Sequence, residues 1–274
     1  MRVKKGVAMH SCGDARPCVA TPQNKPIKSG GYMWKYIILL TLFYGGLFSI
    51  TGEEILRKVD GNLNFKTAVM TMRMEIYLPN QPVRLKRLKS WTEGSKNAYV
   101  EFLNKEDKHT RYLKIGKQMW VYDAEENNTF LISGHLLKQG MMGSDISYED
   151  ALESDEVYEK YNIELEGEEK ISDRECYVVV LSAKVKEVSY YKRKMWVDKQ
   201  YFVPLREERY AISGKLLKVF ESSEIKFYNN RAYATRSVVS DKLKTDTKTV
   251  VIIEEASFDV EIPKSYFTRR YLER

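Results

Sequence analysis

His135, Ser144 and Asp145 lie close together in the chain and have the residue types of an acyl-transfer triad. A serine nucleophile needs a histidine base and an orienting acid, and these roles depend on spatial geometry. No Gly-x-Ser-x-Gly elbow accompanies them, so a lipid-modifying hydrolase around residues 135–150 stands as the last of three readings. The acids Asp145, Glu149, Asp150, Glu153, Asp155 and Glu156 offer the oxygens a hard cation takes, but not at EF-hand spacing. Helix caps and a solvated face account for the same residues, with Ser144, Asp145, Ser154 and Asp155 as N-cap candidates. The chain beyond the apolar segment holds two histidines, His109 and His135, and no C-x-x-C, H-E-x-x-H, Walker or Rossmann signature. Cys176 sits in the apolar run Tyr177-Val178-Val179-Val180-Leu181, which predicts a buried, inert thiol. The expectation is therefore a non-enzyme with no catalytic residue, no metal and no cofactor.

The charge distribution excludes a nucleic-acid partner. The formal net charge is +7, but Arg2, Lys4, Lys5, Arg16, Lys25, Lys28 and Lys35 against Asp14 place almost all of it before residue 53. The remainder is near neutral with interspersed signs, so it offers no basic stripe to a phosphate backbone. Residues 36–50 read YIILLTLFYGGLFSI, apolar and uncharged, after Lys35 and before Glu53 and Glu54. A basic flank, a short apolar run and the small residues Ser49, Thr51 and Gly52 describe a secretory signal over residues 33–52, with cleavage after Thr51 or Gly52. The run is shorter than the ~20 residues of a membrane span, though an uncleaved anchor remains the alternative. Either way the charge asymmetry puts the body outside the cytoplasm. No cysteine lies near the end of the apolar run, so the chain is not expected to be a lipoprotein itself. Residues 1–32 have no period, and Met33 directly precedes Trp34-Lys35. They are expected to be a disordered extension, or translated upstream of a native start at Met33.

The body, residues 53–274, reads as one domain dominated by strands. Tyrosine supplies most of the 12% aromatic residues, which favours pleated surfaces. Glu53 to Asp60 predicts a short helix with Ile55, Leu56 and Val59 on one face. From Val69 to Tyr77 the alternation is clean: Met70, Met72, Met74 and Ile76 on one face, Thr71, Arg73, Glu75 and Tyr77 on the other. Further runs include Asn97 to Leu103 with Ala98, Val100 and Phe102 on one face, and Arg111 to Ile115 and Gln118 to Tyr122 around a Gly116-Lys117 hairpin. Others are Thr129 to Ile132, Glu175 to Ala183, Val188 to Val197, Phe202 to Tyr210, Lys215 to Phe227, Arg231 to Ser240 and Lys248 to Phe258. About ten strands joined mostly by short turns predict a mainly β (α+β) fold, an antiparallel sheet open or curled into a partial barrel.

Residues 134–160 break the pattern with glycines, Met141, Met142, Tyr148 and several acids. A long loop of this kind inside a compact domain predicts a cover or lid. The inner face assembled from the alternation contains Met70, Met72, Met74, Ile76, Ala98, Val100, Phe102, Leu113, Ile115, Val179 and Leu181. With little helical matter to fill it, this face is the candidate apolar cavity for an acyl chain, and methionine suits partners of varying shape. A fully packed core, as in a structural or interaction protein of the envelope, explains the same pattern.

Several stretches resemble the LolA-like outer-membrane lipoprotein-sorting proteins. They are Asn64-Phe65-Lys66-Thr67-Ala68, Lys89-Ser90-Trp91-Thr92-Glu93-Gly94, Arg111 to Gly116 leading to Met119-Trp120-Val121-Tyr122, Tyr190 to Lys199, and Phe258-Asp259-Val260-Glu261-Ile262-Pro263. The most specific is Met141-Met142-Gly143-Ser144-Asp145-Ile146-Ser147-Tyr148-Glu149-Asp150. The resemblance runs in order from about Glu53 to the C-terminus. It implies a strongly bent antiparallel sheet forming an incomplete barrel, with short helices covering its concave apolar face. It also implies a monomeric periplasmic carrier that shields lipoprotein or phospholipid acyl chains between inner- and outer-membrane donor and acceptor proteins.

Overall fold

A computed structural model describes residues 50–107, 110–152 and 156–274. Residues 1–49, which hold the predicted extension and most of the predicted signal, lie outside the described residues, as do His109, Glu153, Ser154 and Asp155.

The first helix, α1 (Gly52–Leu63), is started by a capping box: the Thr51 hydroxyl accepts from the Glu54 amide at 3.1 Å, and Glu54 accepts from the Thr51 amide at 2.8 Å. Its buried stripe is Ile55, Leu56 and Val59, as the spacing predicts. Gly52 is required by space, because a Cβ there would stand 2.7 Å from the Glu164 carbonyl carbon. Ile50 already packs against the core. Ile50 and the Thr51 cap therefore pack with the domain.

Thirteen strands among the described residues form one antiparallel sheet, where about ten were expected. They are β1 (Thr67–Tyr77), β2 (Arg84–Glu93), β3 (Asn97–Phe102), β4 (Arg111–Ile115), β5 (Gln118–Asp123), β6 (Asn128–Ile132), β7 (Tyr161–Ile171), β8 (Arg174–Ala183), β9 (Lys192–Asp198), β10 (Pro204–Tyr210), β11 (Leu216–Tyr228), β12 (Arg231–Asp241) and β13 (Lys248–Phe258). The spatial order is β6-β5-β4-β3-β2-β1-β13-β12-β11-β10-β9-β8-β7. The chain steps outward from β1 to the edge at β6, crosses to the far edge at β7, and steps back until β13 pairs with β1. The sheet does not close: β6 and β7 are its two ends. Register shifts at Thr71/Met72, Leu165/Gly167, Pro204/Arg206 and Arg209/Tyr210 are the bulges that bend strands and increase twist. The β7 edge carries Glu164, Glu166, Glu168 and Glu169, charges that discourage edge-to-edge pairing.

The crossover from β6 to β7 explains the interruption at 134–160. It must travel from one end of the sheet to the other, and it does so across the inner face. It contains a 3-10 turn at Gly134–Lys138, a second at Met141–Gly143, α2 (Tyr148–Leu152) and α3 (Val157–Lys160). Leu136, Leu137, Met141, Met142, Ile146, Tyr148 and Leu152 pack onto Met74, Ile76, Leu88, Phe102, Tyr112, Met119 and Ile132. At the other end α1 packs Ile55, Leu56 and Val59 onto Val179, Leu181, Met195 and Val197. The inner face therefore has two separate covers.

The outer face is not simply wet. The C-terminal segment, including α4 (Arg269–Leu272), lays Phe267 and Leu272 against Tyr99, Leu113 and Tyr122. Cys176 is fully buried in a cluster with Val178, Trp196, Val203 and Leu205, and burial pushes its thiol pKa up, the environment of an unreactive thiol.

Candidate functional site

Beside α1, at the middle of the sheet, lies a cavity of about 320 Å³. Its apolar lining comes from β1 (Met70, Met72), β11 (Phe220) and β13 (Val251, Ile253), with Val59 and Leu63 of α1 and Phe202 along one side. Leu63 is 49% exposed and marks where the cavity meets solvent. α1, which forms one side of the cavity, packs over β7, β8 and β12.

Both covers are tied down. The crossover turns tightly at residues 140–147, where Gly140 bridges to Ser147 and a Cβ at Gly140 would overlap the Ser144 carbonyl. Two buried carboxylates fasten this turn to the sheet. Asp145, 2% exposed, accepts from Thr247 at 2.8 Å, from Thr249 at 3.1 Å and from Lys244 at 3.3 Å. Asp150, whose side chain is 5% exposed, accepts from Tyr190 at 2.6 Å, from the Ser147 hydroxyl at 2.6 Å, from Arg209 at 3.1 Å and from Lys218. Arg209 continues the network to Glu207, which also accepts from Arg193 at 2.6 Å. Burial by itself raises the Asp150 and Glu207 pKa values, but Lys218 and Arg209 at the first, and Arg193 and Arg209 at the second, outweigh it and hold both low. The inner-face residues Tyr112 and Lys114 add bonds to Met142 and to the Ala151 carbonyl, at 3.3 and 3.1 Å. α1 is held at its far end by Asn62, whose amide donates to the Tyr201 carbonyl at 2.7 Å and accepts from the Ala232 amide at 3.2 Å.

These positions sort the sequence-derived residues. Met70 and Met72 line the cavity. Met74, Ile76, Val100 and Phe102 share their face but are packed beneath the crossover, and Val179 and Leu181 beneath α1. Ala98 lies on the same face, opposite Thr92 and Lys114. Leu113 and Ile115 do not belong to this face. Val100 pairs with Tyr112, so Tyr112 and Lys114 point inward and Leu113 and Ile115 outward. Leu113 is 0% exposed beneath the C-terminal segment, and Ile115 is 36% exposed. Met141, Met142 and Tyr148 belong to the crossover, as expected of a cover. Phe220, Val251 and Ile253 were missed, although Lys248 to Phe258 alternates well enough to have placed the last two.

The residue types of a triad are not assembled. Asp145 is engaged by Thr247, Thr249 and Lys244; Ser144 Oγ donates to the Ile146 carbonyl at 3.3 Å; His135 is exposed. Among the described residues no group of three or more His, Cys, Asp or Glu side chains is placed to hold a metal ion. No described helix is long and apolar enough to cross a membrane.

A family profile described as "-like: Uncharacterized protein" matches residues 94–274, more than half of the chain. No curated protein matches the sequence. Among solved structures, a DUF1329 family protein from Desulfovibrio piger superposes with a TM-score of 0.73 at 25% identity, covering 81% of this chain and 97% of its own. A putative outer membrane lipoprotein-sorting protein domain from Vibrio parahaemolyticus has a TM-score of 0.70 at 23% identity, covering 81% and 97%. A LolA superfamily protein from Nitrosomonas europaea has a TM-score of 0.68 at 22% identity, covering 81% and 100%. The chain therefore belongs to the family of that profile, and its open sheet with covered concave face is the fold of the LolA-like lipoprotein-sorting proteins.

Proposed function

We propose that this protein is an exported, non-enzymatic carrier that shelters lipid acyl chains in the periplasm and takes part in outer-membrane lipoprotein or lipid sorting. The observation that carries this reading is the apolar cavity beside α1, floored by Met70, Met72, Phe220, Val251 and Ile253. Its volume falls at the low end of the ~300–1,000 Å³ of small-molecule sites. Sheltering about eight methylenes at ~0.8 kcal/mol each stabilises a bound chain by roughly 6 kcal/mol, enough to hold it and still release it. The kinship in fold with the putative lipoprotein-sorting domain supports the same cargo chemistry. Donor and acceptor partners in the two membranes would load and empty the cavity.

Transfer between vesicles tests this. The protein should speed movement of a fluorescent phospholipid from donor to acceptor vesicles, and Met72→Glu should abolish the gain while leaving the fold intact. No acceleration, together with no retained lipid, supports instead an envelope interaction protein whose inner face is filled by its two covers.

A further inference from the structure

The ligand that fits this cavity can be narrowed, given the carrier reading above. Its lining contains two charged side chains, Arg206 and Glu207, and both are already matched. Arg206 donates to Glu208 at 2.7 and 3.1 Å and to Glu221 at 2.8 Å. Glu207 accepts from Arg193 and Arg209. The Thr235 hydroxyl is used by the Glu224 carbonyl at 2.8 Å. Ser222 and Ser237 differ. They face each other across β11 and β12 with their hydroxyl oxygens 3.3 Å apart, and both line the cavity. Two hydroxyls bring two donors and four lone pairs, and their mutual bond uses one of each. Hydrogen-bonding capacity for a neutral carbonyl or hydroxyl therefore sits beside the apolar side chains of the cavity.

Size adds a second restriction. The cavity is near the bottom of the usual range. Widening it by moving α1 would break the Asn62 bonds to Tyr201 and Ala232. As it stands, it shelters part of one acyl chain rather than several.

We infer that the cavity takes a monoacyl glycerolipid: one acyl chain against Met70, Met72, Val251 and Ile253, its ester and free glycerol hydroxyl against Ser222 and Ser237, and its headgroup outside beyond Leu63. A free fatty acid fits less well, because it lacks the glycerol hydroxyl and its carboxylate would lie near Glu207, while the cations Arg193, Arg209 and Arg206 are already paired. Diacyl lipids and triacylated lipoproteins would insert one chain at most and leave the others in water.

The test is a native mass-spectrometric titration of the protein purified from its host envelope and stripped of lipid. The probes are palmitoyl lysophosphatidylethanolamine, monopalmitoylglycerol, palmitate, dipalmitoyl phosphatidylethanolamine and a triacylated lipopeptide. The inference expects one-to-one complexes with the two monoacyl glycerolipids, at least about tenfold tighter than with the other three. Comparison of the first two probes shows whether the phosphate head contributes. The double variant Ser222→Ala/Ser237→Ala should lose about tenfold for the monoacyl glycerolipids and nothing for hexadecane, with its thermal midpoint unchanged. Equal or tighter binding of the diacyl lipid or lipopeptide overturns the inference and leaves the carrier reading standing. Binding of no probe overturns both.

Discussion

Replacing Asp150 by Ala removes the carboxylate on which the crossover is fastened. Its side chain is 5% exposed and accepts from Tyr190, Ser147, Arg209 and Lys218, the last two themselves only 8% exposed. The loss is larger than the bonds themselves, because Arg209 and Lys218 remain buried with less counter-charge. Removing one member of a buried ion pair costs about 3–5 kcal/mol. Against a typical domain stability of about 5–15 kcal/mol this is a large fraction, so the variant should fold but unfold early in urea. Tryptophan fluorescence through a urea titration measures the global loss. Amide hydrogen exchange then locates it, with protection over residues 136–152 falling further than in β8 and β9, which α1 covers. Asp150→Asn keeps the shape and part of the bonding and should fall between the two. A loss below about 1 kcal/mol in Asp150→Ala, with protection over 136–152 unchanged, would refute the view that this network holds the cover in place.

Acid should loosen the same cover. Asp150 and Glu207 are held below their ordinary values of about 3.9 and 4.3, so between the folded and unfolded values the unfolded chain binds more protons. Their contribution is complete above the unfolded values and lost as pH falls through the lowered folded ones. Urea midpoints should drop from about pH 5 down to about pH 2, where Glu207 titrates in the folded protein, less steeply in Asp150→Asn. Val100→Glu, in contrast to Met72→Glu, places a charge among side chains packed beneath the crossover and should unfold the domain rather than merely empty the cavity; circular dichroism separates the two. Leu113→Ala should cost about 2–5 kcal/mol by opening a void under the C-terminal segment while leaving lipid retention unchanged, as extraction of the purified variant would show. Thr51→Ala should cost about 1 kcal/mol in the same urea titration through loss of the helix cap, and N-terminal sequencing of the exported protein should find Ile50 and Thr51 still present.

The sheet was readable because alternation survives wherever one face is wet. In β1, Arg73 and Glu75 mark the outer side, so Met70, Met72, Met74 and Ile76 fall inward without ambiguity. The same logic fails at β4. Arg111, Tyr112, Leu113 and Lys114 are all buried, and an apolar Leu113 between two basic-flanked positions looks more inward than Tyr112. Only the pairing of Val100 with Tyr112 decides it, and pairing is not written in either strand alone. The acids of 144–150 pose a related problem. Their composition suggests caps or a solvated surface, and Ser147 does bond Asp150 as a helix-start pair would. What turns Asp145 and Asp150 into fasteners is Thr249, Arg209 and Lys218, brought from β13, β10 and β11 by the return path of the sheet. The length of the interruption was legible as a cover, because a chain that ends one half of an open sheet must cross to begin the other. The position of the cavity was not, since it is set by where α1 ends on the sheet.

The central claim is that the space beside Met72 carries lipid in the cell envelope. Its most direct test is solvent extraction and mass spectrometry of the protein purified from its native host without detergent, alongside Met72→Glu treated identically. The account predicts lipid or acylated peptide at close to one per protein in the first and a folded but empty protein in the second. A wild-type protein that arrives empty, and stays empty after incubation with host lipids and lipoproteins, would contradict it.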